Sequence, residues 1–279
     1  MKYRAFAKVN LVLDIIGQRA DGYHDLKMIM AALELHDLLT IELAEQSSFS
    51  SNAHFLDYDN NLIVNAIEKL REKYKFSENF KVELKKTIPI QAGLGGGSAN
   101  AAATIIIVNK LLNLKMSRVE MEEIAEQLGS DVKFCLDNKV SLVEGTGQKI
   151  KRIDNISQFY LLLVKPKKGI STTKAFSKLK EYDLKHYQTE EMVQALETNN
   201  YQKIIKNLGN SFEEVAFDMV PTIKEIKKEL LEFGFDGALL SGSGSTVFAI
   251  TKDKELLLDG VDFFRKKYPF VWATKLKEQ

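Results

Sequence analysis

The chain has 279 residues, of which 45% are hydrophobic and 28% are charged. These proportions are those of an ordinary folded protein, and they exclude a disordered or collagen-like chain. The 39 Lys and Arg residues balance 38 Asp and Glu residues, so a net charge of +1 offers no basic surplus for binding nucleic acid. The length suffices for one large domain or two modest ones with real cores.

The single cysteine, Cys135, excludes an internal disulfide framework and a cysteine-based zinc site, and it indicates a reducing compartment. Residues 1–8 lack the apolar core of a signal peptide. We therefore expect a cytoplasmic protein. Apart from His24, the histidines are scattered without metal-ligand spacing, and we predict no metal site built from protein side chains.

Apolar periodicity predicts the elements of the first half of the chain. Alternation of apolar and polar residues indicates strands, and apolar residues three and four apart indicate helices. Ser117 is a plausible N-cap with Glu120 in the capping-box position. The predicted elements are strands within residues 1–45 and over 80–88, and helices over 61–74, 98–112 and 117–128.

The second half mixes strands and helices without regular β-α-β alternation, which favours an α+β fold. A loop over 154–157 separates it from the first half, and we predict two domains, residues 1–155 and 156–279. A turn at Gly145 and Gly147 is predicted before this loop. The elements predicted after it are a strand over 159–164, a helix over 221–233, a glycine motif over 241–245 and a strand over 246–251.

One stretch of the chain is unusual because the 23 residues between Lys86 and Lys110 carry no charge. That length could span a bilayer. However, Pro89 and four glycines would leave backbone polar groups without partners in lipid, which excludes a membrane span. We predict no membrane association.

The same stretch contains a glycine-rich loop that leads into the helix predicted to start near Ser98. Glycines let successive N–H groups converge, and a helix N-terminus adds partial positive charge, so the loop is suited to a phosphate chain. A ligand-free strand–helix turn is the alternative, but four glycines in five positions exceed what a turn needs. The loop is neither a Walker A motif nor a dinucleotide fingerprint, since Ser98 stands where the third glycine would be.

This loop resembles the phosphate loop of the galactokinase–homoserine kinase–mevalonate kinase–phosphomevalonate kinase superfamily. Within it, three further parts of the chain resemble the 4-diphosphocytidyl-2-C-methyl-D-erythritol kinases. The motifs keep their order from Ala7 to Phe248, and Asp-Gly-Tyr-His at 21–24 is the most discriminating. These parts are 7–11 with 17–24, 128–132 with 144–147, and 241–248.

The resemblance implies a ribosomal-protein-S5-like N-terminal domain and a ferredoxin-like C-terminal domain. It also implies ATP-dependent phosphorylation, with Mg²⁺, of the 2-hydroxyl of 4-diphosphocytidyl-2-C-methyl-D-erythritol in the non-mevalonate isoprenoid route. The partner is then a small cytidine diphosphate substrate. The sequence leaves the oligomeric state open.

The resemblance also implies roles for particular residues. Asp131 and Lys8 match the catalytic aspartate and lysine, although alone they could be a helix N-cap and a surface lysine. Matching positions near the acceptor are Asn10, Tyr23, His24, Lys86 and Phe176, with Phe176 as the lid that completes a ring–base–ring sandwich around cytosine. Those near ATP are Asn61, Pro89, Ile90, Gln91, Ala92, Gly93, Leu94, Gly95, Gly96, Gly97, Ser98 and Ala99, where Ser98 could help to position Mg²⁺.

Several of these roles have plain structural alternatives. Asn61 could equally be a helix N-cap, and Tyr23 with His24 could be a packed turn. Solvated loop charge is the expected role of the basic cluster Lys165, Lys167 and Lys168, which could otherwise meet a diphosphate.

Four positions depart from the family pattern. Ala99 replaces a usual second serine, and Lys133 replaces a usual proline or similar residue after Asp131-Val132. Met30 and Ser211 stand at positions that are often aromatic and often acidic or small, respectively. Two other functions stay open. One is a kinase of the same superfamily acting on homoserine or a mevalonate-type alcohol, against which Asp-Gly-Tyr-His at 21–24 argues. The other is a nucleotide-binding paralogue without turnover, which the departures at Ala99 and Lys133 would allow.

Overall fold

The protein is described here from a computed structural model that covers residues 1–53, 61–154, 158–179 and 182–278. Its two compact units are interleaved along the chain. The first unit consists of Met1–Ala7, Leu35–Ile88 and Gly95–Asn138; the second consists of Lys8–Glu34, Pro89–Leu94 and Lys139–Gln279. The predicted boundary near residue 155 lies outside the described residues, and the division into 1–155 and 156–279 stays a prediction.

Two long neighbouring strands, β1 (Lys2–Gln18) and β2 (His24–Ala44), run through both units. They confirm the strands predicted from alternation in the first 45 residues. Residues 7–15 of β1 are buried without interruption, so neither face of this strand is exposed there. In the second part of β2, the odd-numbered residues from 33 to 41 are all buried.

The first unit places helices beside a small sheet. The second part of β2 pairs antiparallel with β4 (Asn79–Lys85), and β3 (Ser48–Ser51) pairs parallel with β4. Helix α2 (Gly96–Leu111) is buried without interruption over residues 99–105, because it packs against the other three helices. The helices are α1 (Leu62–Tyr74), α2 (Gly96–Leu111), α3 (Arg118–Leu128) and α4 (Val132–Asp137).

Local capping explains where these helices begin. The Asn61 side chain accepts a hydrogen bond from the Ile63 N–H at 3.0 Å, and Ser117 with Glu120 forms a complete capping box, as predicted. Helix α2 begins at Gly96 and not near Ser98. The predicted start was two residues late, because Gly95 takes the left-handed conformation (φ 67°) at the N-cap and Gly96 and Gly97 already belong to the helix.

The second unit contains a four-stranded antiparallel sheet. Its order is β11 (Phe270–Lys275), β7 (Tyr160–Lys165), β10 (Val247–Thr251) and β9 (Gly237–Leu240). Helices α9 (Thr222–Phe233) and α10 (Lys254–Arg265) pack against this sheet. The other helices are α5 (Thr172–Lys178), α6 (Thr189–Glu197), α7 (Tyr201–Lys206) and α8 (Glu213–Met219).

Further strands of the second unit extend from β1 and β2. Residues 12 and 13 of β1 pair parallel with the short strand β8 (Gly209–Asn210), and residues 26–30 of β2 pair antiparallel with β5 (Ser141–Gly145). Strand β5 turns back into β6 (Lys149–Arg152) through the predicted glycine turn. Helices and sheets mixed in this way confirm the predicted α+β class. Over the described ranges, no helix has both the length and the apolar character that crossing a membrane requires.

Candidate active site

The first part of the glycine loop, residues 89–94, is fixed in the second unit by three backbone hydrogen bonds. The carbonyl of Leu94 accepts from the N–H of Lys8 at 3.0 Å, and that of Ala92 accepts from the N–H of Thr246 at 3.2 Å. The carbonyl of Gln91 accepts from the N–H of Ile170 at 3.3 Å. The backbone N–H groups of Lys8, Ile170 and Thr246 therefore hold this part of the loop in one conformation.

Gly93 occupies a position that no other residue can fill. Its φ is +74°, and a Cβ atom there would lie 1.9 Å from the carbonyl oxygen of Ser241. The Ser241 hydroxyl also donates to the Gly93 carbonyl at 3.0 Å. The C-terminal glycine motif thus lies directly against the loop, and the absence of a side chain permits the close approach.

The second part of the loop forms the N-terminus of α2 in the first unit. This helix has 16 residues and no acidic residue in its first turn, so its free N–H groups and its dipole favour an anion. A Cβ on Gly96 would lie 2.9 Å from Lys86 Nζ, which places that ammonium group beside the first turn. Ser98 is half-buried and Ala99 is buried, so the departure at Ala99 directs a methyl group into the protein. These features fit the phosphates of a nucleotide.

Lys86 lies in a buried cluster around Asp37 in the first unit. Lys86 Nζ is 2.5 Å from Asp37 Oδ2, and the N–H groups of Thr87 and Ile88 donate to Asp37 Oδ1 at 2.7 and 2.8 Å. Asn100 Nδ2 in α2 donates to Asp37 Oδ2 at 3.1 Å. Asp37 therefore binds the chain just before the glycine loop and just after it. The predicted contact between Lys86 and the substrate stays a prediction.

Lys8 and Asn10 form a buried pair on β1 in the second unit. Lys8 is only 5% exposed, and its Nζ donates to Asn10 Oδ1 at 2.8 Å. Asn10 Nδ2 in turn contacts Met28 Sδ on β2 at 3.4 Å. The alternative of a surface lysine is therefore wrong, and the predicted association of Asn10 with Lys8 is present.

Asp131 immediately precedes α4 in the first unit, at the start of a helix as predicted. Its side chain makes no capping hydrogen bond, and its backbone is already helical (φ −86°, ψ −11°). The N-cap alternative therefore does not account for this carboxylate. Lys8 and Asp131 belong to different units, and their catalytic pairing stays a prediction.

His24 and Phe176 lie together in the second unit. Their ring centroids are 5.1 Å apart with an angle of 32° between the planes, and Phe176 is also packed edge-on against Phe212 at 4.9 Å. Rings at this separation contact each other directly, so the predicted sandwich requires His24 and Phe176 to separate before a base can lie between them. Tyr23 is 65% exposed and makes no packed turn of the kind considered as its alternative.

Two further predicted positions have defined surroundings. Asn61 is the N-cap of α1, yet its Nδ2 atom is buried and finds no hydrogen-bond acceptor among the described residues. An unsatisfied buried donor costs free energy, so this amide could serve a ligand such as adenine as well as the helix. That second role stays a prediction.

The basic cluster near residue 166 is only partly solvated. Lys165 is buried, its Nζ donates to the carbonyl of Pro166 at 3.1 Å, and burial lowers its pKa. Lys167 and Lys168 are exposed. The expectation of solvated loop charge is therefore wrong for Lys165, because this residue is the last of β7 and pairs with Phe270 of β11.

Comparison with known proteins places this geometry in a family. Residues 61–139 match the family model of the GHMP kinases N terminal domain, and residues 192–269 match that of the GHMP kinases C terminal. A 4-diphosphocytidyl-2-C-methyl-D-erythritol kinase from Thermoanaerobacter pseudethanolicus is 42% identical over 277 residues, covering 99% of this chain and 96% of that protein. The chain belongs to the 4-diphosphocytidyl-2-C-methyl-D-erythritol kinase family.

Two other relatives of this kinase family agree. The Clostridium perfringens enzyme of the same name is 36% identical over 281 residues, covering 99% of this chain and 98% of that protein. A crystal structure of a 4-(cytidine 5'-diphospho)-2C-methyl-D-erythritol kinase superposes with a TM-score of 0.83 at 26% identity and covers all of both chains. The predicted family, its two-domain kinase fold and the assignment as an ATP-dependent phosphotransferase are confirmed.

Lys133, one of the four departures from the family pattern, links α4 to α3 through ion pairs. Its Nζ lies 2.7 Å from Glu126 Oε1 and 3.2 Å from Glu122 Oε2. Arg118 extends the network, with 2.6 Å to Glu122 and 2.9 Å to Asp137 at the other end of α4. In this kinase, ion pairs hold the helix that follows Asp131.

Sequence reasoning missed the roles of two buried residues of this kinase, Asp37 and Asn210. Asp37 falls in the inward-facing, odd-numbered register of β2 between apolar Leu35 and Leu39, and that register was the available signal. Asn210 carried no such signal, because the two carbonyls to which its Nδ2 group donates lie 30 and 32 residues further along the chain. Among the described residues, no group of three or more His, Cys, Asp or Glu side chains could hold a metal ion.

Proposed function

We propose that this chain transfers the γ-phosphoryl group of ATP to the 2-hydroxyl of 4-diphosphocytidyl-2-C-methyl-D-erythritol. The observation that carries the proposal is similarity over 99% of the chain to kinases that bear this name. In this role the enzyme would serve the non-mevalonate route to isoprenoid precursors.

The glycine loop would bind the ATP phosphates. The free N–H groups at the start of α2 and the dipole of this helix supply partial positive charge, and the absence of an acidic residue from its first turn avoids repulsion. Lys86 Nζ, which forms an ion pair with Asp37, lies beside the first turn of α2 and could donate a hydrogen bond to a phosphate there. Mg²⁺ would neutralise the donor phosphates when bound, with the Ser98 hydroxyl as its candidate protein ligand.

Asp131 and Lys8 would carry out the chemistry. We assign Asp131 to accept or orient the proton of the acceptor hydroxyl, and Lys8 to stabilise charge on the transferred phosphoryl group. The buried bond from Lys8 Nζ to Asn10 Oδ1 fixes the ammonium group on β1, so little reorganisation is needed during transfer.

His24 and Phe176 would recognise the cytosine ring of the acceptor. The two rings are already adjacent, and aromatic faces stack readily on bases. Insertion of the base requires the rings to part, which couples acceptor binding to a movement of α5 or of the turn that carries His24. Tyr23, exposed next to His24, is positioned to add a further ring or hydroxyl contact.

An acceptor panel tests the proposal. ADP release is measured with a coupled assay in the presence of ATP and Mg²⁺ and one of three acceptors: the cytidine substrate, homoserine or mevalonate. We expect turnover with the cytidine compound alone and a product phosphorylated at the 2-hydroxyl by ³¹P NMR. Turnover with another alcohol would replace the proposed acceptor, and ATP binding without transfer to any of them would favour a paralogue without turnover.

A further inference from the structure

Asn210 is a buried amide whose hydrogen-bonding groups reach two different parts of the second unit. It is 1% exposed and lies on β8, where it pairs with Leu13 of β1. Its Nδ2 group donates to the carbonyls of Leu240 and Gly242, each at 2.8 Å. Its Oδ1 atom accepts from the N–H of Phe212 at 2.9 Å.

The donor side of Asn210 determines the position of the segment that touches the glycine loop. Its two bonds bracket Ser241, whose hydroxyl donates to the Gly93 carbonyl. The Ser241 carbonyl oxygen occupies the space where a Cβ of Gly93 would be. Glu213 also binds the end of β9, because its Oε1 accepts a hydrogen bond from the Leu240 N–H at 3.3 Å. A shift of the 240–242 segment would therefore displace Gly93.

The Oδ1 atom of Asn210, which accepts a hydrogen bond, determines the position of an aromatic ring. The bond to the Phe212 N–H fixes the N-cap residue of α8, and the Phe212 side chain is buried. Its ring stands at 90° to that of Phe176 at 4.9 Å, and Phe176 contacts His24. Phe212 thus supports the ring that we assign to cytosine.

We propose that Asn210 is a positioning residue that aligns the phosphate loop and the cytosine-binding rings through one side chain. This role presupposes the proposed function, because it concerns the ATP and acceptor sites named there. Because Asn210 is buried and its amide is bonded to Leu240, Gly242 and Phe212, we assign it no contact of its own with either substrate. Its Nδ2 group acts on ATP binding through the 240–242 segment, and its Oδ1 atom acts on acceptor binding through Phe212.

The two halves of the amide can be separated by substitution. Asn210→Asp keeps the Oδ1 acceptor for Phe212 but removes both donors, and it sets a carboxylate against two carbonyls at pH 8. We expect the KM for ATP, and the Kd for a non-hydrolysable ATP analogue, to rise about tenfold, the effect of leaving buried carbonyls unsatisfied. The KM for the acceptor should stay within twofold. Phe212→Leu should show the reverse pattern, with only the acceptor KM raised.

Asn199→Asp is the matched control, because Asn199 is exposed and lies in the same unit. It should change neither KM. If Asn210→Asp does not fold, Ser241→Ala removes only the hydroxyl that bonds to Gly93, and it should raise the ATP KM alone.

The outcomes separate this proposal from the proposed function. Failure of the wild-type protein to phosphorylate the cytidine acceptor would contradict the proposed function itself. With an active wild type, equal changes in both KM values for Asn210→Asp, or no change in either, would overturn the positioning role. An unaltered ATP KM for Ser241→Ala would overturn it as well.

Discussion

Asp37 and Lys86 form a buried ion pair, with 2.5 Å between Asp37 Oδ2 and Lys86 Nζ. The carboxylate is fully buried, and it also accepts from two backbone N–H groups and from Asn100. Four donors on one carboxylate compensate for its removal from water. Three of these donors come just before the glycine loop in sequence, and Asn100 comes just after it. We therefore expect Asp37 to stabilise the first unit and also to position the start of α2.

Asp37→Asn tests this connection. The amide would direct its own donor at Lys86 or Asn100 and leave a buried ammonium group without its counter-charge, which costs about 3–5 kcal/mol. We expect that loss in the free energy of unfolding, measured with urea, together with weaker ATP binding. Glu83→Gln is the control, since it breaks the exposed pair with Lys81 on β4 and should leave both measurements unchanged. An Asp37→Asn protein as stable as the wild type would show that the pair is dispensable.

Gly93→Ala should abolish ATP binding. The methyl group would overlap the Ser241 carbonyl oxygen, so the loop or the 241 segment must move. Gly234→Ala is a suitable comparison, because Gly234 also has a positive φ (+115°) but its Cβ would meet nothing closer than 3.8 Å. That variant should lose about 1 kcal/mol of stability and keep its ATP affinity. Equal ATP affinities in calorimetric titrations of the two variants would contradict the assigned contact.

Phe176→Ala should raise the KM for the cytidine acceptor and leave the KM for ATP nearly unchanged. Loss of one stacked ring is worth about 1–3 kcal/mol per base, which corresponds to roughly 5- to 150-fold in affinity. Phe263→Ala, at a partly exposed ring on α10, should change neither KM. Loss of ATP binding in Phe176→Ala would contradict the assignment of this ring to the cytidine acceptor.

Lys133 should stabilise α4 in a way that depends on pH. Although partial burial acts to raise the pKa of Glu122, Arg118 and Lys133 hold that pKa below its ordinary value. A lowered folded-state pKa gives stability that is present above the ordinary glutamate pKa and is lost as pH falls through the lowered one. Lys133→Met should therefore cost ~1 kcal/mol at pH 7 and less below pH 4.

Lys133→Pro is the comparison variant for turnover. Lys133 is the second residue of α4, and a proline is tolerated there because the first N–H groups of a helix have no intrahelical partner. This variant should retain turnover if Lys133 only secures the helix after Asp131. An unchanged stability difference between wild type and Lys133→Met at pH 7 and pH 3.5, from thermal unfolding, would argue against the ion-pair network.

Local patterns predicted most of the regular structure, because each depends on residues close in sequence. Alternation located β1 and β2, apolar spacing located α1, and the capping box of Ser117 with Glu120 located the start of α3. The start of α2 was misplaced because a glycine N-cap leaves no side-chain signal. Resemblance, rather than periodicity, supplied the roles of Lys8, Asp131 and Phe176.

Other features depend on contacts that no local pattern reports. Burial of Lys8 and Lys165 follows from neighbouring strands and not from their own segments. The partners of Asp37 lie about 50 to 63 residues away, and those of Asn210 include carbonyls 30 and 32 residues away. The interleaving of the two units along the chain was equally invisible, because β1, β2 and the glycine loop each contribute residues to both units.

Single-turnover transfer of phosphate from ATP to 4-diphosphocytidyl-2-C-methyl-D-erythritol, compared between wild type, Asp131→Asn and Lys8→Met, tests the central claim most directly. We predict transfer to the 2-hydroxyl by the wild type and a rate about 10²–10⁴ lower in each folded variant, the contribution typical of a positioned acid–base group or charge stabiliser. Nearly full transfer by both variants, or no transfer by the wild type, would contradict the account.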